Sequence, residues 1–202
     1  MKLFAEKGFG STSIADILRA AGVNSGSLYY FFPTKQDLLI EVLRSYERGI
    51  GAMLLAPAWE GVDDPLKQVF ALLAAYRGLL STSDCAYGCP IGSLALELHE
   101  PDPPVRDLLG ANFNAWVEAV ERCYRAAGNR LPAEADRHGL AVLTLTTMEG
   151  GVMLARTMRN LGPYDTAVDA LRNHIELLER EAAGRSKSNE DSAGNTGSRH
   201  GG

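Results

Sequence analysis

Between residues 25 and 35 the sequence gathers side chains suited to phosphate oxygens and base edges. They are Ser25, Ser27, Tyr29, Tyr30 and Lys35, with Gly26 leaving room for close approach. Hydroxyls donate and accept hydrogen bonds and an ammonium pairs with phosphate, so this set can work in a nucleic-acid groove. Thr12 and Ser13 stand upstream at the expected start of a helix, where free N–H groups and the helix dipole favour an anion. A second group lies farther along. Cys89 directly precedes Pro90, at an expected helix N-terminus that lowers a thiol's pKa. It is either a sensing thiol, with Cys85 as possible partner, or a small buried apolar side chain. Tyr76, His99, Phe113, Trp116 and Met148 are candidates to line an apolar pocket with a few polar groups, or else belong to a core.

The elements that must position these groups read as helices almost throughout, with no period-2 strand pattern. The end of a first helix covers residues 2–8 and stops at Gly8 and Gly10. Thr12 or Ser13 caps a second, Ile14–Ala21, which Gly22 ends in a left-handed turn. A third spans Ser25–Phe31, and Pro33 breaks it. Thr34 caps a long fourth helix from Lys35, with Leu38, Leu39, Val42, Leu43, Tyr46 and Ile50 at helical spacing. Ile14, Ile17 and Leu18 make one apolar face, Val23 plugs the core, and Leu28 and Phe32 anchor the third helix. Two helices joined by a short glycine turn form a helix-turn-helix. Residues 56–64, with Pro57, Gly61 and Asp63, read as a loop. Further helices are expected over 65–80, 90–98, 104–127, 133–160 and 164–183, with Gly128 and Gly162 as stops. Residues 184–202 are nearly devoid of apolar side chains and are expected to be disordered.

The register Phe4-x3-Gly8-x3-Thr12-x-Ile14-x2-Ile17-x3-Ala21-Gly22-Val23-x5-Tyr29-x2-Phe32-x2-Lys35-x2-Leu38 resembles the signature of the TetR/AcrR family of transcriptional regulators. That resemblance implies an all-α fold: a helix-turn-helix DNA-binding domain over 1–46 and a helical ligand-binding and dimerisation domain over 47–183. It also implies that Thr12, Ser13, Tyr30 and Lys35 contact phosphate and that Ser27 and Tyr29 contact bases or backbone. Two departures stand out. Ser25 occupies a position that is basic in many members, which implies weaker phosphate attraction. Met1 falls in mid-helix, so the first helix is expected to be cut short. Residues 85–100, CAYGCPIGSLALELHE, resemble a segment of one subgroup, some of whose members sense electrophiles or small organic compounds.

Composition narrows the rest. The 202 residues are 46% hydrophobic with a net charge of -5, so bulk charge does not argue for nucleic acid. The first 48 residues are +1, leaving -6 for the remainder. Three cysteines are no disulfide framework, and C-x3-C without a second Cys/His pair is no zinc site. No secretory leader and no apolar run of about 18 residues is present, so a cytoplasmic protein without membrane contact is expected. No cofactor, phosphate loop or Ser/His/acid array argues for an enzyme. The apolar stripes Leu140–Leu154 and Leu171, Ile175, Leu178 either pair two subunits or face their own core. The family resemblance implies a homodimeric repressor that binds double-stranded, pseudo-palindromic DNA and is released by a small organic or electrophilic effector. The alternative is a helical interaction or sensor protein whose shortened N-terminus impairs DNA binding.

Overall fold

The computed structural model describes residues 2–194, which form helices joined by turns, with no strand among them. The N-terminal unit contains α1 (Lys2–Lys7), α2 (Ile14–Ala21), α3 (Ser25–Phe31) and the start of α4 (Lys35–Ile50). Each boundary has a local cause. Ser13 and Asp16 form a reciprocal cap on α2, as do Thr34 and Asp37 on α4. Gly22 ends α2 at φ 66°, a left-handed conformation that glycine adopts without strain. Asn24, whose Oδ1 accepts from the Ser27 N–H, caps α3.

The expected loop over 56–64 is confined to 60–64, because residues 56–59 are helical. The chain runs from α4 through a π-helical turn, Gly51–Leu55, directly into α5 (Ala56–Trp59). Pro57 lies in the first turn of α5, and the preceding wide turn absorbs the backbone bond that a proline cannot make. The second domain continues with α6 (Pro65–Thr82), α7 (Pro90–Glu97), α8 (Pro103–Ala126), α9 (Arg137–Met158) and α10 (Gly162–Gly194). Prolines occupy the first turns of α6, α7 and α8. α9 starts at Arg137 rather than 133, because Asp136 accepts from the Gly139 N–H and so sets the cap. α10 opens at Gly162, the expected stop, and extends eleven residues past 183 to Gly194. Residues 184–194 are therefore helical, and the disorder expected for 195–202 lies outside the described residues.

The core is continuous from Phe4, Leu39 and Leu43 to Leu72, Val120, Met148 and Ile175. Two buried tyrosines lock the layers. Tyr124 shares a 2.9 Å hydrogen bond with Thr144, and the Tyr164 hydroxyl donates to the Leu73 carbonyl at 2.8 Å. The paired glycines of α9 differ in role. A Cβ on Gly151 would lie 2.9 Å from Cδ2 of Tyr164 and 3.3 Å from its Cα, so α10 packs where only glycine fits. A Cβ on Gly150 would meet nothing. Gly151→Val should therefore lower stability by about 1–3 kcal/mol through overpacking, whereas Gly150→Ala should stabilise or leave unchanged. Thermal melts of the two variants check this, and equal melting temperatures would contradict it.

Candidate functional site

The candidate recognition surface, as the sequence resemblance implies it, is α3. Ser25, Gly26 and Ser27 are exposed, as are Tyr29 and Tyr30, the latter 81% accessible. Phe31 adds a second bare ring edge-on to Tyr30 at 5.0 Å. Leu28, buried at 8%, and the half-buried Phe32 anchor the opposite face. Val23 departs from expectation: at 43% exposure it does not plug the core but lies in the turn between the two helices. α3 carries no charged side chain, so nearby charges set the local field. Lys7 and Arg19 lie 3.3 and 3.5 Å from the Asp16 carboxylate. Hydrogen bonds from Ser13, followed by Lys7, hold that carboxyl down at about 2.

Thr12 is not a phosphate contact through its side chain. It is fully buried, and its hydroxyl lies against the Gly8 carbonyl at 2.6 Å and the Leu3 carbonyl at 3.3 Å. It ties α1 to the start of α2. Ser13 is exposed, but its N–H and hydroxyl are already engaged with Asp16, so the N-terminus of α2 is partly filled. Lys35 is half-buried with its ammonium 4.2 Å from the Phe9 ring centroid and 3.5 Å from the Gly10 carbonyl, which pins α4 to the α1–α2 turn.

That turn is also gripped from the second domain. The Glu97 carboxylate, at the end of α7, accepts from the Phe9 N–H at 2.7 Å and the Gly10 N–H at 2.6 Å. Gly8, at φ 82°, sits so close that a Cβ would come within 2.9 Å of a Glu97 oxygen. Consecutive amides in this conformation form an anion-binding nest, and Glu97 occupies it. Gln36 to Asp102 (2.8 Å) and Tyr87 to Glu6 (3.2 Å) reinforce the junction. Helical patterning shows an acid such as Glu97 only as a solvated face, so the sequence reading missed it.

One side of α7, from Cys89 to Leu96, forms the wall of a cleft of about 770 Å³ shared with α8 and α9. Cys89 and Phe113 line it, along with Leu96, Leu145, Val152 and Met153 on the apolar side and Glu149, Arg156 and Ser93 on the polar side. Three expected pocket residues do not reach this wall. Tyr76, Trp116 and Met148 are almost wholly buried behind it as core, and their apolar character alone did not distinguish the two places. His99 is exposed beyond the end of α7, outside the cleft. Glu149 was missed as a pocket residue. Its carboxyl fits the notch left by Gly92, where a Cβ would collide with it, and its Oε1 is buried without a hydrogen-bond partner. Asn112 Oδ1 and Trp116 Nε1 are orphaned in the same way. Each such group costs about 1–3 kcal/mol.

The thiol's surroundings reverse the expectation from the helix dipole. Cys89 is buried, and desolvation together with the adjacent Glu149 carboxyl pushes its pKa well up, outweighing the α7 amides that lower it. Cys85 and Cys123 are also free and buried. No helix among the described residues is long and apolar enough to cross a membrane.

A capped helix pair with a bare second helix, joined to a helical domain with a cleft, is the architecture of a helix-turn-helix regulator. Comparison with known proteins gives the family. Residues 1–42 match the bacterial regulatory proteins of the tetR family, and residues 65–170 match the C-terminal domain of LmrA/YxaF-like transcriptional regulators. The HTH-type transcriptional regulator Rv0196 of Mycobacterium tuberculosis is 33% identical over 88% of this chain and 92% of its own. A TetR regulatory protein from Rhodobacter sphaeroides shares the fold with a TM-score of 0.76 at 24% identity, covering 86% of this chain and 93% of that one. CifR, solved as a cysteine mutant complexed with 26-base-pair operator DNA, has a TM-score of 0.67 at 22% identity, covering 86% and 90%. The chain belongs to the TetR family of transcriptional regulators.

Two outcomes check this geometry. Thr12→Val should destabilise the N-terminal unit by about 1 kcal/mol by removing the donor to the part-buried Gly8 carbonyl, while Tyr30→Ala should leave the melting temperature unchanged; calorimetry distinguishes a structural from a surface role. Native Cys89 should resist iodoacetamide at about pH 8 and label only on unfolding, because the reactive form is the thiolate. Rapid native labelling seen by mass spectrometry would refute the burial argument.

Proposed function

We propose that the protein is a homodimeric repressor that leaves its operator when a small organic ligand enters the α7–α8–α9 cleft. The observation that carries this is the double engagement of α7. Its first turn walls the cleft at Cys89, Gly92 and Ser93, and its last residue, Glu97, holds the α1–α2 turn next to the recognition surface. A ligand that favours one position of α7 thereby favours one setting of α3, which is the differential affinity that a population shift requires. Tyr29, Tyr30, Ser25 and Ser27, with Gly26 permitting close approach, make the groove contacts, and Lys7 and Arg19 supply phosphate attraction. CifR was solved on operator DNA, which supports the same use of this fold here.

Dimerisation rests on α9 and α10. Leu143, Leu154, Met158 and Leu177 are exposed along them, beside an apolar groove at Gly150 and Ala170. Burying this face against a second copy gives two-fold symmetry and a pseudo-palindromic operator. The electrophile branch receives no support from Cys89, whose thiol is held protonated in an apolar wall.

The test is fluorescence anisotropy with DNA from around the protein's own gene. Wild type should bind a specific inverted repeat, and Leu143→Glu should run as a monomer in sedimentation and lose about tenfold or more in operator affinity. Glu97→Ala should still bind ligand but lose most of the ligand-induced release, whose coupling in allosteric proteins is about 1–3 kcal/mol. Absence of any specific DNA fragment at low salt would reject the repressor reading and favour a helical interaction protein.

A further inference from the structure

The cleft contains one ionisable group that the fold leaves unfinished. Glu149 reaches from α9 into the notch over Gly92 on α7; the Cys89 thiol hydrogen-bonds its carboxyl, and Oε1 is left buried and unpaired. None of the ion pairs found among the described residues includes it. The nearest cation along α9, Arg156, lies two turns away and donates to Ser93 at 3.0 Å instead. The other titratable groups facing Glu149 are Cys89 on α7, Tyr46 on α4, Tyr76 on α6 and Tyr164 on α10. All four are pushed upward, chiefly by burial, and stay neutral across ordinary pH. No neighbour therefore supplies positive charge to this carboxylate. The apolar side chains lining the cleft with it are Leu145 and Val152, its neighbours on the same face of α9, Phe113 on α8 and Leu96 on α7.

We propose that Glu149 is the anchor for a protonated amine carried on an apolar, ring-sized body. An ammonium brings both missing elements, a counter-charge and hydrogen-bond donors, whereas an alcohol brings only a donor and a carboxylate brings repulsion. The aromatic or aliphatic body then occupies the apolar walls. Arg156 and Arg159, at the outer end of the same helix face, disfavour a second positive group there, so the class is a monoamine. Burial raises the Glu149 carboxyl above its ordinary range. Amine binding requires the ionised form, so affinity rises as pH climbs through that raised value.

This inference rests on the cleft being the effector site, and the experiment separates the two. Full-length protein is titrated by calorimetry with three isosteric probes, 2-naphthylmethylamine, 2-naphthylmethanol and 2-naphthoic acid. Wild type is expected to bind in the order amine, alcohol, acid, with the amine gaining about tenfold between about pH 5 and 8 and the alcohol unchanged. Glu149→Gln should erase the amine preference and its pH dependence while alcohol binding stays within about threefold. Glu149→Asp, which keeps the charge, should retain the preference. Equal binding of amine and alcohol, a preference for the acid, or an unchanged amine preference in Glu149→Gln would overturn the amine assignment and leave the cleft reading intact. Failure of all three probes at about 1 mM would overturn both.

Discussion

Two backbone N–H groups, those of Phe9 and Gly10, turn toward the Glu97 carboxylate, and the placement of the helix-turn-helix unit depends on them. The α1–α2 turn bonds internally from Thr12 to the Phe9 and Gly8 carbonyls, and Gly8 has no side chain to fill the nest. The carboxylate that fills it comes from 87 and 88 residues away in sequence. Charge-assisted bonds of this kind are shorter and stronger than neutral ones, and Lys35 over Phe9 clamps the same turn from the other side. α7 has eight residues, so it is only about 12 Å long. A rod that short keeps the cleft wall and the grip on the α1–α2 turn within about two turns of each other.

The N-terminal unit was legible because its instructions are local. Gly22, Ser13 and Thr34 act within one turn of where they stand, and their spacing announces two helices and a turn before any tertiary contact forms. Thr12 was illegible for the opposite reason. Thr12 and Ser13 are equally good caps by chemistry, and only packing against α1 decides that Thr12 turns inward. The left-handed cap of α9 falls on Arg159 at φ 51°, a position with no glycine to signal it. The cleft was half legible. Cys89 and Phe113 were found by residue type, but Tyr76, Trp116 and Met148 share that type and lie in the core. Glu97 and Glu149 resemble surface acids in any helical pattern, and their partners become visible only when α7 meets the first turn and α9.

Cys89 shows two physical effects in direct opposition. The first turn of α7 offers amides and a positive dipole end, which favour a thiolate. Burial and a neighbouring carboxyl favour the thiol, and they prevail because the dipole is a partial charge while desolvation acts on a whole one. The same desolvation falls on Glu149, so the inner wall of the cleft holds two acids that both resist ionising. The wall is consequently less charged than its composition suggests, and it accommodates the apolar residues around it.

The π-helical turn at Gly51–Leu55 decides which side of the rod meets the core. Buried residues along this rod fall at Leu39, Leu43, Ile50 and Leu55, so the last interval is five. In an α-helix five residues sweep about 500°, leaving Leu55 roughly 140° out of phase with Ile50. The wider turn spreads those residues over little more than one revolution and returns Leu55 to the core side. The segment behaves as a one-residue insertion whose angular error is cancelled where it arises. Ile50 and Leu55 thereby both reach the core although five residues separate them.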